Sequence, residues 1–158
     1  MRVSFDLDDT LFVSPEKFKT EKELMFPLNV IFKERLRYGT IDLFDYLKKN
    51  NIEIWIYTTS FRSEKYIRSL FHCYGLKVDS VVNGQRHEKE VQAGKNEPMP
   101  SKYPCKYRID LHVDDDVSVL QNGKIFGFKV FLIAGQDDLW TEKIIAEIQR
   151  ISELKNTF

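Results

Sequence analysis

The chain has 158 residues, and 24 Lys and Arg balance 24 Asp and Glu to a formal net charge of zero. That length suits one domain, residues 1–158, able to bury roughly 70% of its unfolded surface without a disulfide or metal staple. The balanced charge argues against a nucleic-acid or membrane partner held by net charge, and no apolar run is long enough to span a bilayer.

The first stretch, Val3-Ser4-Phe5-Asp6-Leu7-Asp8-Asp9-Thr10-Leu11, runs from an apolar strand straight into three carboxylates. If the chain stays extended, Asp6 and Asp8 face the same way and Leu7 faces the packing. Two crowded carboxylates repel unless a cation sits between them. Mg²⁺ suits that place, since it binds through oxygen and takes one or two carboxylates plus phosphate. A plain helix cap at Asp9 or Thr10 would need one acid, not three.

After Pro15, the polar run Glu16 to Glu23 and the cluster Leu24-Met25-Phe26 read as a helix with a proline-broken end, or else as a small flap over the carboxylates. Asn29 to Tyr38 reads as a helix stopped by Gly39. Thr40 caps a second helix, Ile41 to Lys49. Ile52 to Tyr57, β-branched and aromatic, reads as a strand that ends in Thr58-Thr59-Ser60. Ser63 opens a helix that ends near Gly75, and Val78 to Val82 is a short strand. Gln85 to Ser101 is a long loop, of a length that is often functional. Ile109 to Val113 is a strand that enters Asp114-Asp115-Asp116. Asn122-Gly123 is expected to turn, Phe128 to Ile133 to form the last strand, and Leu139 to Leu154 a closing helix with Ile144, Ile145, Ile148 and Ile151 as its apolar stripe.

Strands alternating with helices predict an α/β fold: a three-layer α/β/α Rossmann-like domain on a mostly parallel five-stranded sheet. Ligands in such sheets sit beyond the carboxyl ends of the strands. Three of these ends carry Asp6 and Asp8, Thr58, and Asp114 and Asp115, so the three converge on one crevice if their strands are parallel neighbours. Cys73 and Cys105 form no CxxC pair, which suggests two reduced thiols and a cytoplasmic setting. With His72, His87 and His112 scattered, no zinc site is expected. No secretory leader is expected either.

Asp6-Leu7-Asp8-Asp9-Thr10 resembles the DxDxT signature of the haloacid-dehalogenase-like (HAD) superfamily. The resemblance runs from Val3 to about Leu139, with the remaining parts in order. Thr58, with Thr59 as the alternative occupant, matches the hydroxyl after the second strand. Asp114-Asp115 matches the later acid pair, with Asp115 reaching the metal, Asp114 assisting and Asp116 capping the next helix. The lysine is drawn from Lys95, Lys102 and Lys106, and the spacing before the strand at Ile109 favours Lys102. Neither usual insertion point has room for a large cap domain.

What the resemblance implies is a Mg²⁺-dependent phosphomonoester hydrolase. Asp6 would be the nucleophile, Asp8 the proton shuttle, and Thr58 and Lys102 the groups that stabilise charge. The metal would lie among Asp6, Asp8, Asp115 and Asp114. The substrate would be a phosphorylated small molecule or macromolecule. A phosphate-binding module without turnover is a second reading. A receiver-type signalling domain is disfavoured, because Val81-Val82-Asn83 puts no Asp at the end of the third strand. Arg62 and His87 are expected to be ordinary surface residues.

Overall fold

A computed structural model describes residues 1–156. Five strands, β1 (Arg2–Phe5), β2 (Glu53–Tyr57), β3 (Ser80–Val82), β4 (Leu111–Asp114) and β5 (Val130–Leu132), form one sheet in the order β3-β2-β1-β4-β5. Every pairing is parallel. The flanking helices are α1 (Leu28–Ile31), α2 (Thr40–Lys49), α3 (Glu64–Cys73), α4 (Gly84–His87), α5 (Val117–Phe126) and α6 (Trp140–Asn156). This is the α/β Rossmann-like arrangement that the alternation predicts.

Strand alternation sorts the sheet residues into two environments. Val3, Phe5, Ile54, Ile56, Leu111 and Val113 enter the main core with the buried stripe of α6, Ile144, Ile148 and Ile151. Phe5 packs tilted against Phe44 at 5.2 Å between ring centres, while Phe44 stacks on Phe71 at 5.6 Å and Phe71 on Phe12 at 5.9 Å. Each such ring contributes roughly 1.5–3 kcal/mol by leaving water. Ser4, Tyr57, His112 and Asp114 fall on the alternate positions. Tyr57 there joins a smaller cluster with Val82, Val91, Tyr107 and Ile109.

The structure corrects several expected elements. Of the helix expected over Asn29 to Tyr38 only the start is helical, as part of Leu28–Ile31. Val30 and Ile31 are 61% and 58% exposed, so an apolar face on that helix has nothing to pack on. The chain instead leaves the helix at Phe32, whose ring packs 5.2 Å from Tyr66, and runs extended. Val13 N donates to Arg35 O and Arg37 N to Leu11 O, while Glu21 N and Tyr38 N bond Leu36 O and Lys19 O. The segment before Pro27 forms no helix either, and Met25 and Phe26 are exposed. The loop expected from Gln85 opens as α4 and a π-helical turn, Glu88–Gln92, because Asn83 caps it by accepting from Arg86 N and Val91 is buried beneath it.

Ser63 and Asp116 do cap their helices, each accepting a backbone N–H in the first turn. Thr40 is the first helical residue; Gly39, at φ 91°, takes the cap position. Asn122-Gly123 does not turn but lies inside α5, and the chain turns at Gly127.

Gly123 is needed for close approach. A Cβ there would sit 2.7 Å from the Phe128 carbonyl oxygen and 3.0 Å from Val130 Cγ2. Helix propensity alone would make Gly123→Ala stabilising by up to about 1 kcal/mol. The clash is expected to win, with a net loss of about 1–3 kcal/mol and a lower melting temperature by circular dichroism. An unchanged or raised melting temperature would show that β5 yields freely.

Candidate active site

The ladder of β1 continues one step, since Asp6 N donates to Val113 O at 2.9 Å. The chain then turns sharply. Leu7 O accepts from the N–H groups of Thr10, Leu11 and Phe12, and Asp9 takes a left-handed φ of 58°. Leu7 and Leu11 are fully buried and pin this turn to the core. The turn also corrects the expectation that Asp6 and Asp8 crowd one face, because the extended backbone stops before Asp8. Asp6 is buried and bonded to Lys102. Asp8 is half-exposed and forms a two-pronged ion pair with Arg62, both N···O distances 2.9 Å.

The carboxylates that do crowd are Asp6, Asp114 and Asp115, each with an oxygen within 4.8 Å of the others. Lys102, only 4% exposed, lies 2.8 Å from Asp6 Oδ1 and 2.5 Å from Asp114 Oδ2. Its loop is anchored next door: Tyr103 N donates to the Tyr57 hydroxyl, which also bonds His87 Nδ1 at 2.7 Å. Lys95 and Lys106 are exposed. Of the three candidate lysines, Lys102 is therefore the one brought to Asp6. His87, expected at the surface, is instead half-buried against Tyr57.

Behind the carboxylates runs a buried polar chain that the sequence reading missed. Parallel register sets Ser4 beside His112, and period two sets His112 on the same side as Asp114. Ser4 Oγ meets His112 Nδ1 at 2.7 Å, and His112 Nε2 meets Asp114 Oδ2 at 2.9 Å. Asp114 Oδ1 accepts from Asp116 N. Burial alone would raise the Asp114 pKa, but the His112 hydrogen bond and the Lys102 charge outweigh it and hold the group at about 2. The only signal in the sequence was the spacing of His112 from Asp114.

Thr10 was also read only as part of a motif. Its hydroxyl donates to Asp115 Oδ1 at 3.0 Å, tying the turn after β1 to the end of β4. Thr58 is buried, its N–H donating to Val82 O and its hydroxyl accepting from Ser60 N. Thr59, not Thr58, lines the open crevice of about 470 Å³ that also includes Asp6, Lys102, Asp114 and Asp115. Arg62 is no idle surface group. Besides Asp8 it bonds Glu34 and Ser60, and Glu34 in turn accepts from the Tyr66 hydroxyl.

Three carboxylates around one ammonium leave an excess of negative charge. Burial, with repulsion from Asp114, pushes Asp6 up to about 6 even though Lys102 opposes the shift. Burial also raises Asp115. Asp114 has both oxygens engaged, so Asp6 and Asp115 are the pair with room for an ion. An all-oxygen set of this kind fits a hard divalent cation such as Mg²⁺ better than a softer metal.

No protein-family model matches the chain, and no curated protein matches it. Among solved structures, it is similar to a HAD-superfamily hydrolase, subfamily IA, variant 1, from Geobacter sulfurreducens PCA. The TM-score is 0.57 at 13% identity, over 92% of this chain and 98% of that one. A HAD-superfamily hydrolase from Ehrlichia chaffeensis matches with a TM-score of 0.46 at 17% identity, over 82% and 90% of the two chains. A predicted HAD-like family hydrolase from Porphyromonas gingivalis matches at 0.45 and 13% identity, over 95% and 96%. The first of these carries the conclusion: the chain shares the fold of that structure.

The metal-free site makes a stability prediction. Asp6 ionises near 3.8 when unexposed to the fold but at about 6 within it. Its contribution to stability is therefore full below about pH 4 and lost as pH rises through about 6. Asp6→Asn, neutral throughout, should be more stable than the wild type at pH 7.5 in EDTA, by on the order of 2–3 kcal/mol and with a higher melting point, and level with it near pH 4. A lower melting point at pH 7.5 would mean that the Lys102 ion pair outweighs burial.

Proposed function

We propose that the protein is a Mg²⁺-dependent phosphomonoester hydrolase of the HAD type, acting through an aspartyl-phosphate on Asp6. It would be a cytoplasmic protein of one domain without a large cap insertion. The observation that carries this reading is the buried Asp6 carboxylate, fixed by Lys102 at the end of the central strand, beside Asp115 and in a HAD-like fold.

In this reading an Asp6 oxygen attacks phosphorus, its bond to phosphorus forming as the ester O–P bond breaks. Asp8 gives its proton to the departing oxygen, then takes one from the water that opens the aspartyl-phosphate. To do so it must exchange Arg62 for the substrate. Lys102 and the Thr58-Thr59 corner hold the phosphoryl oxygens, and Asp114, through Lys102, holds that ammonium in place. Asp6, the main-chain carbonyl of Asp8, and Asp115 would hold the metal. When bound, Mg²⁺ supplies charge neutralisation at the phosphoryl oxygens. The open crevice suits a phosphate on a small molecule or an exposed phosphate on a macromolecule.

The Arg62–Asp8 ion pair favours one rival, a phosphate-binding module whose proton shuttle stays locked. Brief exposure to an acyl phosphate followed by intact mass measurement separates the two. Asp8→Asn should gain one phosphate and shed it slowly, because a good leaving group needs no proton. Asp6→Asn should gain none. The reverse pattern would exchange the two roles, and an unlabelled, inactive wild type would leave the binding module standing.

Lys102→Ala should lower turnover of a phosphomonoester by roughly a hundredfold or more, as expected when a preorganised charge is lost. A screen of phosphorylated metabolites with and without Mg²⁺ supplies the substrate for that assay. Normal turnover in this variant would remove the lysine from the mechanism.

A further inference from the structure

A second cavity, of about 310 Å³, lies between the segments 17–19, 37–38 and 136–140 and shares no lining residue with the carboxylate crevice. Arg37 lines it and is 4% exposed. Its guanidinium is held between two rings, 5.0 Å from the centre of Phe18 and 5.3 Å from that of Trp140. Nη2 donates to Gly135 O, but Nη1 is buried with no hydrogen-bond partner.

Among the described residues no carboxylate makes an ion pair with Arg37. Asp137 and Asp138 also line the cavity; Asp137 is engaged by Lys143 and by Leu139 N, and Asp138 is exposed. Burial pulls the Arg37 pKa below its ordinary value although Asp137, Asp115 and Asp138 oppose the shift from a distance. A buried guanidinium nitrogen without a hydrogen-bond partner is unfavourable. Lys17 and Lys19 add two exposed cations to the lining without an ion pair among the described residues, and Lys19 lies over the Tyr38 ring at 4.0 Å.

We infer that this cavity is a second anion-binding site, which takes the phosphate or carboxylate group of a compact small molecule against Arg37, Lys17 and Lys19. Arginine suits the role because its planar fork matches both oxyanions. The oxyanion would add negative charge beside a guanidinium nitrogen that has no hydrogen-bond partner. Its source is either a free anion or a second acidic group on the hydrolase's own substrate.

Trp140 reports on the cavity directly, and the chain has only two tryptophans. In Trp55→Phe protein with EDTA, titration with inorganic phosphate should change Trp140 fluorescence saturably. Lys17→Gln with Lys19→Gln, both exposed and so safe for folding, should weaken that binding by roughly tenfold or more, the scale of a lost charge-assisted hydrogen bond. Arg37→Met should abolish it. Lys102→Met, in the other crevice, should leave it unchanged.

A signal lost in Lys102→Met but kept in the double lysine variant would place the anion at the carboxylates and overturn the inference, as would no saturable signal. The source follows from kinetics, an arm that rests on the proposed hydrolase activity. A substrate's second acid predicts a raised KM in the double lysine variant only for doubly anionic esters. A free anion predicts unchanged KM values for all esters, with the phosphate binding still weakened.

Discussion

A single buried ammonium holds the site together. Lys102 lies between Asp6 and Asp114 with almost no contact with water, and without it two carboxylates at the ends of adjacent strands would repel across a low-dielectric gap. Burial favours the neutral form of each partner, and the mutual attraction keeps Lys102 charged, its pKa raised despite desolvation. Removing the ammonium would leave two buried carboxylates uncompensated, which is far more damaging than the worth of either single pair. The site is therefore tied together electrostatically, and the chain of contacts reaches back through His112 and Ser4 into the sheet.

That continuity explains why the polar residues in the sheet do not weaken it. Ser4 and His112 occupy neighbouring positions on two central strands, where an unpaired hydroxyl or imidazole would be expensive. They satisfy one another and then Asp114. The same strands thus carry an apolar face for the core and a polar line that ends at the crevice.

Much of this was legible in the sequence. The alternation of strands and helices, the caps at Ser63 and Asp116, and the arrival of Asp6 and Asp115 at one crevice follow from local patterns, whereas Lys102 was selected through the family resemblance. What was not legible depended on how strands end and where apolar groups find partners. Asp6 and Asp8 were paired by extended geometry, yet the turn at Leu7 separates them. The helix expected from Asn29 rested on periodicity, yet Val30 and Ile31 meet no surface while Phe32 and Leu36 do. Arg62 gave no signal, and His112 only its spacing from Asp114, because a lone Arg or His has many uses and only tertiary placement selects one.

The extended pairing of residues 11–13 with 35–37 closes the excursion between them at its base. Val13 and Arg37 are held by backbone hydrogen bonds that do not depend on what lies in between, and the turn that carries Asp6 is complete before the excursion begins. Lengthening a closed loop adds only about 0.6 kcal/mol of entropic cost per doubling. The chain can therefore accept added sequence at this point, gaining new surface beside the crevice while the geometry of the carboxylates stays as it is. The base of the excursion is thus a socket, and the four-residue helix with its exposed Val30 and Ile31 sits within it.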